Sequence, residues 1–162
     1  MIKKNSNFKE YKFRLAKLNE LNQIQKFIKK NWKPNHILGR DKEYLLYQFK
    51  NKNKLNFFIA INKKNKKIES IHGFLKYSKK KIGETICGSI ASVETGNHKP
   101  FLGLETFKRM LLINKPNLYI GIGTDPITMV PLIKKFLHFE TGLMDHYYKI
   151  NPNIKEFKIA KI

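Results

Sequence analysis

The stretch from Ile86 to Ile113 reads ICGSIASVETGNHKPFLGLETFKRMLLI, and the pattern in it decides the fold. Its beginning is apolar and β-branched, which is typical of a buried strand. Two glycines and a proline then interrupt the strand over residues 95–103. Apolar side chains recur after that at helical spacing, at Leu104, Phe107, Met110 and Leu111. The sequence therefore predicts a strand, an irregular loop and a helix in direct succession.

A loop that leads directly into a helix favours the binding of an anion. The first backbone N–H groups of a helix have no acceptor within the helix, and the helix dipole adds partial positive charge there. Lys99, just before the predicted helix, adds a full positive charge. The pattern therefore predicts a phosphate or pyrophosphate site at the helix start. An ordinary strand-to-helix connection without a ligand remains the alternative.

Length and composition limit the class of protein. The chain has 162 residues, 41% of them hydrophobic, so we expect one domain with a real core over residues 1–162. No apolar run approaches the roughly 20 residues that cross a bilayer, and the polar start does not resemble a signal peptide. The sequence thus predicts no membrane insertion and a cytoplasmic location. Cys87 is the single cysteine and the five histidines are scattered, so we expect no disulfide and no metal site.

The net charge of +21 would ordinarily indicate nucleic acid as a partner. The charge is almost all lysine, however, with Arg14, Arg40 and Arg109 as the only arginines, and it is spread along the chain. Base reading favours arginine, and single-strand binding favours aromatic residues among the basic ones. Here the aromatic residues alternate with apolar ones, as in core strands. We therefore expect the charge to attract an anionic substrate or cofactor rather than nucleic acid.

The remaining periodicity gives an order of elements. Before the quoted stretch we expect a strand at 11–16, a helix ending near Lys30 and capped by Asn19 or Asn22, a short helix capped by Asp41, and three antiparallel strands at 55–61, 67–77 and 84–94. After the helix at 103–114 we expect an interior strand at 118–122, a helix at 131–138 preceded by an Asp125–Pro126 cap, and a last strand at 142–150. This order predicts an α/β (α+β) fold with a mixed, mostly antiparallel sheet of six to seven strands and about four helices.

This order resembles that of the GNAT superfamily of acyl-CoA N-acyltransferases over nearly the whole chain. In that family a strand ending in valine leads through a Q/R-x-x-G-x-G/A loop that holds the CoA pyrophosphate. The matching stretch is Val93 followed by HKPFLG at 98–103, in which His98 replaces Gln or Arg and Phe101 replaces the middle glycine. Residues 130–142 are similar to the family's A-x-x-x-Y-x-x-x-G-F segment, with Lys134 at the tyrosine position. The resemblance implies acetyl-CoA or another acyl-CoA as cofactor.

The resemblance also implies where the cofactor binds. Backbone groups at the end of the central strand would bond the pantetheine arm and stabilise the oxyanion, and the loop and helix start would hold the phosphates. The residues implied are Ala91, Ser92, Val93, His98, Lys99, Leu102, Gly103 and Leu104.

Three residues are candidates for proton transfer. Glu94, at the end of the central strand, is the expected base for the ammonium proton, with a solvated strand-end carboxylate as the alternative. His72 has a near-neutral pKa that suits a base or a substrate contact, although a buried sheet-face histidine is the commoner case. Tyr147, with Tyr148 as its alternative, would replace the missing family tyrosine as the acid that protonates the thiolate, unless the thiolate leaves without an acid. 

The acceptor amine would contact other residues. His146 lies in the expected last strand, which lines the acceptor side in this family. His36 and Arg40 precede the second helix and would close over the acceptor, with a surface turn held by local hydrogen bonds as the alternative.

Three hypotheses for the function follow. The leading one is transfer of an acyl group, acetyl first of all, to a primary amine of a small molecule. The segment at 32–43 is similar to GNAT-like proteins found with surface-polysaccharide and modified-sugar biosynthesis, which indicates an amino sugar of a nucleotide-sugar or polysaccharide pathway. The second hypothesis is a GNAT-fold binding protein without catalysis, and the weakest is a basic nucleic-acid-binding domain. The sequence leaves a homodimer open.

Overall fold

The computed structural model describes residues 8–77, 84–143, 145 and 153. They belong to two compact units, one up to Asp125 and one from Pro126, and each is described by itself. The expectation of one domain over the whole chain stays a prediction.

The first unit contains most of the regular structure. Its elements are β1 (Tyr11–Lys17), a 3-10 turn (Leu18–Glu20), α1 (Leu21–Asn31), α2 (Ile37–Arg40), α3 (Lys42–Phe49), β2 (Lys50–Asn51), β3 (Lys54–Asn62), β4 (Ile68–Lys76), β5 (Thr85–Val93), α4 (Leu102–Asn114) and β6 (Leu118–Gly121). The second unit contains α5 (Met129–Leu137).

The six described strands form one sheet in the order β1-β3-β4-β5-β6, with the short β2 paired to β3. All of the pairings are antiparallel except that of β5 with β6, which is parallel. The predicted mixed, mostly antiparallel sheet is therefore confirmed, and the described residues contain five helices where about four were expected.

Alternation along β3 explains how the sheet is buried on both faces. Leu55, Phe57 and Ile59 point to one face, where they are fully buried. They pack there with apolar residues of the first three helices, namely Ile24, Ile28, Leu38, Leu45 and Phe49. Ala60 points to the other face and packs with Leu102 of α4. The sheet thus separates α1, α2 and α3 from α4.

Several boundaries differ from the sequence-based expectation. The predicted asparagine cap of α1 is wrong, because the 3-10 turn precedes this helix and places Glu20 at its N-cap. The Glu20 carboxylate accepts two hydrogen bonds of 2.7 Å from Arg14, an arrangement that also places negative charge near the helix N-terminus. The predicted Asp41 cap is confirmed, since its side chain accepts from the Tyr44 N–H at 2.8 Å.

The later elements also differ. Helix α5 begins at Met129 with Thr128 at its N-cap, so the expected Asp125–Pro126 cap is wrong. Pro131 is the third residue of this helix, where its missing N–H breaks no helical hydrogen bond. Strand β6 ends the described part of the sheet instead of lying inside it, and Leu118 is 52% exposed. Of the expected last strand, Gly142, Leu143 and Asp145 are not in a strand, and the rest lies outside the described residues.

No helix in the described ranges is long and apolar enough to cross a bilayer.

Gly73 in β4 provides a test of this packing. A Cβ added there would lie 2.7 Å from a ring carbon of Phe57 and 2.8 Å from a methyl carbon of Ile90. Because the Phe57 ring is fully buried, we expect Gly73→Ala to lower the free energy of unfolding by about 1–3 kcal/mol, measured by chemical denaturation. Gly142→Ala is the control, since its added Cβ would meet no described atom within 4 Å. Equal stability of the two variants would contradict the close packing of β3, β4 and β5.

Candidate functional site

The parallel pair β5 and β6 stays together for only part of its length. Thr85–Gly88 pair with Leu118–Gly121, and β5 then continues alone on this side to Val93. In the described part of the chain, no strand pairs with this side of residues 89–93. Among the described residues, the sheet therefore has a short unpaired edge along the end of β5.

A β-bulge lies at the point where the two strands part. Gly73 of β4 pairs with Ile90 and Phe74 pairs with Gly88, so Ser89 is an extra residue in β5. A bulge bends its strand and increases the local twist. Since Gly88 is also the last residue paired with β6, the bulge accounts for the separation of β5 from β6.

Backbone groups of Ala91 and Val93 point to this unpaired edge. The Glu94 N–H donates to the Glu69 carbonyl of the β4 side at 2.8 Å. Because successive residues of a strand direct their backbone groups to opposite sides, the N–H and C=O groups of Ala91 and Val93 point away from β4. The backbone groups of Ser92, between them, face β4, and its hydroxyl donates to the Asn31 carbonyl of α1 at 2.9 Å. The edge can thus bond an extended amide chain as a further strand would.

The loop after β5 has a defined shape. The Thr95 N–H donates to the Asn31 side-chain oxygen at 3.0 Å, and the Lys99 N–H donates to the Asn97 side-chain oxygen at 2.8 Å. Gly96 and Phe101 both have left-handed backbone angles, with φ of 80° and 61°. Phe101 stands directly before α4, so it adopts a conformation that glycine takes at less cost.

The start of α4 lies against the end of β5. A Cβ added to Gly103 would be 3.0 Å from a methyl carbon of Val93, so this glycine permits the close approach. The Leu102 N–H donates to the Lys99 carbonyl at 3.4 Å. Within the described residues, the N–H groups of Gly103 and Leu104 have no acceptor. Free amides and an unpaired strand edge therefore lie side by side.

The charged side chains near this loop are already paired. The Lys99 ammonium is 2.6 Å from the Glu10 carboxylate and lies over the Phe8 ring. Its hydrogen bond lowers the pKa of Glu10. The Glu94 carboxylate is 3.2 Å from the Lys30 ammonium, whose side chain is 67% exposed. Such exposed pairs are worth about 1 kcal/mol or less, so an incoming anion or amine can compete for them.

His72 is buried beneath α4. Its ring stacks on Phe107 with centroids 4.7 Å apart, and its Nε2 is 3.1 Å from the Tyr119 hydroxyl. Burial lowers the pKa of His72 to about 4, so the ring is neutral at physiological pH. These surroundings agree with a buried sheet-face histidine, and a role for His72 in proton transfer stays a prediction.

The remaining predicted residues are placed elsewhere or not described. His36 caps α2, where its Nδ1 accepts from the Leu38 N–H at 3.3 Å, and burial lowers its pKa. Arg40 is exposed at the end of α2, and His98 is exposed on the loop. Tyr147 and His146 lie outside the described residues.

Residues that the sequence reasoning did not single out hold the loop. Asn31 comes from α1 and Asn97 from the loop itself, and both act through side-chain hydrogen bonds. Asparagine in a glycine-containing loop is a weak signal of such turns. The contact from α1 spans 64 residues of sequence and carries no local signal.

Two other features bear on the choice of site. Among the residues that the structure describes, no group of three or more His, Cys, Asp or Glu side chains could hold a metal ion. A shallow surface pocket is lined by Lys17, Leu18 and Lys54, where β1 ends and β3 begins. No acidic or histidine side chain lines this pocket, so acid–base chemistry favours the end of β5.

The burial of His72 predicts a pH dependence of stability. In the unfolded chain its pKa is near the ordinary 6.5, so between that value and about 4 the unfolded state binds more protons than the folded state. The contribution of His72 to the free energy of unfolding is therefore fully present above about pH 6.5, and it decreases as the pH falls toward 4. We expect its contribution to the free energy of unfolding to drop by about 2 kcal/mol from pH 7 to pH 5.

Urea denaturation at the two pH values measures this effect. His72→Gln keeps a polar partner for Tyr119 but removes the titration, so its stability should change less over the same interval. The same loss of stability in the variant and the wild type would contradict the assignment to His72.

The left-handed backbone of Phe101 predicts the effect of two substitutions. Phe101→Ala and Phe101→Gly both remove a ring that is 57% exposed, and only the glycine also relieves the backbone. We expect the glycine variant to be more stable than the alanine variant by about 1 kcal/mol, measured by chemical denaturation. An alanine variant as stable as the glycine variant would contradict the left-handed conformation.

Comparison with known proteins bears on the fold. No protein family model matches the sequence, and no curated protein matches it either. An aminoglycoside N-acetyltransferase, AAC(6')-Iy, solved in complex with CoA, superposes with a TM-score of 0.62 at 12% identity, covering 93% of this chain and 99% of that one. A possible acetyltransferase from Clostridium difficile 630 gives a TM-score of 0.61 at 15% identity, covering 88% of this chain and 99% of that one.

A third solved structure matches a smaller share of this chain. A mosquito arylalkylamine N-acetyltransferase like 5b has a TM-score of 0.57 at 13% identity, and the match covers 77% of this chain and 81% of that one. At such identities the likeness concerns the fold alone. The chain therefore has the fold of the GNAT acetyltransferases.

Proposed function

We propose that this protein transfers an acyl group, acetyl first of all, from acyl-CoA to a primary amine of a small molecule. The observation that carries the proposal is the unpaired edge of β5 at residues 89–93, which leads into the free amides at the start of α4. The fold is shared with acetyltransferases, one of them solved with CoA.

The strand edge and the helix start suit two successive parts of CoA, the pantetheine arm and the pyrophosphate. The pantetheine arm contains two amides, which the backbone groups of Ala91 and Val93 would bond as a strand bonds its neighbour. The pyrophosphate would lie on the N–H groups of Gly103 and Leu104, with Lys99 available once it leaves Glu10. Phe101 replaces the family's middle glycine, and its left-handed backbone supports a loop of the shape that glycine favours.

Glu94 is proposed as the base. An amine arrives mainly as its ammonium, and the Glu94 carboxylate would take one proton directly or through water. The neutral amine then attacks the thioester carbon, and backbone N–H groups of β5 stabilise the oxyanion. The C–N bond forms in this addition, and collapse of the oxyanion breaks the C–S bond. Tyr147 is the proposed donor of the proton to the thiolate, and the second amine proton, directly or through water, restores the Tyr147 hydroxyl.

The acceptor is proposed to be an amino sugar of a nucleotide-sugar or polysaccharide pathway. The resemblance of residues 32–43 supports this choice, together with the net charge of +21, which attracts a phosphorylated acceptor. His36, Arg40 and His146 are the proposed contacts. The cytoplasmic location and the homodimer left open by the sequence stay predictions.

A GNAT-fold binding protein without catalysis is the second candidate. Two observations favour it: the charged groups of Glu94 and Lys99 are each engaged by an ion pair, and Lys134 stands at the family's tyrosine position. It predicts ligand binding without turnover.

Calorimetric titration with acetyl-CoA tests the cofactor, with ADP as the control ligand. We expect micromolar affinity and a clear preference for acetyl-CoA. Lys99→Ala should weaken the binding about tenfold, since one charge-assisted contact to phosphate is lost. Affinity no greater than that for ADP would contradict an acyl-CoA site.

Turnover with a panel of primary amines, followed by release of the CoA thiol, tests the base. Glu94→Gln should reduce kcat by about 100-fold to 10,000-fold, as expected for loss of a general base, while acetyl-CoA binding is retained. Lys30→Ala is the matched control, because it breaks the same ion pair and leaves the carboxylate. Equal turnover in the two variants would contradict the role of Glu94.

A further inference from the structure

A second carboxylate, that of Glu69 in β4, lies close to the same loop. It is only 6% exposed. Its Oε2 accepts from the Tyr11 hydroxyl at 2.6 Å and from the Asn97 amide at 2.8 Å, and its Oε1 accepts from the amides of Asn62 at 2.9 Å and Asn65 at 3.0 Å. These donors come from β1, the loop after β5, the end of β3 and the turn after it. One carboxylate thus joins four segments of the chain.

The carboxylate remains charged without a basic partner among the described residues. Burial raises its pKa, but the hydrogen bonds from Tyr11 and the three asparagines outweigh that effect, so the pKa of Glu69 is lowered. A buried carboxylate is strongly unfavourable unless its oxygens accept hydrogen bonds. Four donors satisfy them here. The strands pair through their backbones and do not need this arrangement, whereas the loop after β5 is held by it.

Glu69 holds the loop at two points. Its backbone carbonyl accepts from the Glu94 N–H at 2.8 Å, and its side chain accepts from Asn97. The Asn97 N–H in turn donates to the Glu94 carbonyl at 3.0 Å. The first turn of the loop is therefore fixed to β4 at both of its ends.

The Glu69 carboxylate also determines the orientation of the Asn97 side-chain amide. An ionised carboxylate only accepts hydrogen bonds, so the NH₂ group of Asn97 must face Glu69. The amide oxygen then faces the Lys99 N–H, from which it accepts at 2.8 Å. The orientation of one side chain thus links Glu69 to the backbone just before α4.

We propose that Glu69 and Asn97 form a latch that sets the loop 94–101 in its phosphate-binding shape before CoA arrives. Both are positioning residues, and the inference rests on the proposed function. Ordering loop residues at the moment of binding costs conformational entropy and weakens the affinity, and a loop held in advance avoids that cost. Loss of the latch should therefore weaken the binding of the phosphates and leave the pantetheine contacts unchanged.

The test compares two asparagines that bond the same carboxylate. Asn97→Ala removes the donor that lies in the loop, and Asn65→Ala removes the donor in the turn between β3 and β4. Calorimetric affinity for CoA should fall at least about tenfold in Asn97→Ala and less than about threefold in Asn65→Ala. Affinity for pantetheine, which carries no phosphate, should be the same in both variants.

Thermal unfolding is recorded for every variant, as a control for a general loss of structure. A further variant, Asn97→Asp, places a carboxylate against Glu69, so it should weaken CoA binding at least as much as Asn97→Ala. Equal CoA affinities of the Asn97 and Asn65 variants would overturn the latch while the proposed function stands. A parallel loss of pantetheine affinity in Asn97→Ala would also overturn the latch. Absence of CoA binding by the wild-type protein would overturn the proposed function and the latch with it.

Discussion

The unpaired half of β5 is the constraint on which the rest of the site depends. An interior strand normally has neighbours on both sides, because backbone N–H and C=O groups are costly to leave unbonded. The extra residue at Ser89 ends the pairing with β6 at Gly88, and within the described ranges the last residues of β5 are paired on the β4 side alone. Under the proposed function, a ligand with amides in an extended chain would complete this edge, and the start of α4 would bind its phosphates.

The loop that joins the edge to α4 is held by polar side chains from distant segments. Asn31 of α1 and Glu69 of β4 both bond it, and it begins α4 with Phe101 in a left-handed conformation. These features cost free energy through a buried charge and a strained backbone. Such costs are common where a protein must keep one shape for a ligand.

The sequence predicted the elements whose signals are local. The strands that became β3, β4 and β5 were recognisable from alternating apolar residues and polar turns, and the Asp41 cap was recognisable from its position. Helix α2 was not predicted, because four residues are too few to show a helical periodicity. The position of β6 at the end of the described sheet was not predicted either, because a wholly apolar strand is typical of a sheet interior. The bulge at Ser89 and the donors around Glu69 depend on register and on contacts across 58 residues, which no local pattern records. Gly103 of α4 lies against Val93 of β5, so two parts of the expected cofactor site are adjacent. Cofactor binding there and the roles of Glu94, His72 and Tyr147 stay predictions.

Residue-resolved amide hydrogen exchange, followed by NMR with and without acetyl-CoA, tests the central claim most directly. In the free protein the amides of Ala91, Val93, Gly103 and Leu104 should exchange faster than that of Ser92, which faces β4. Acetyl-CoA should slow the exchange of these four amides, because its amide and phosphate oxygens would accept hydrogen bonds from them. Binding of acetyl-CoA that leaves their exchange unchanged would contradict the claim that the edge of β5 and the start of α4 form the cofactor site.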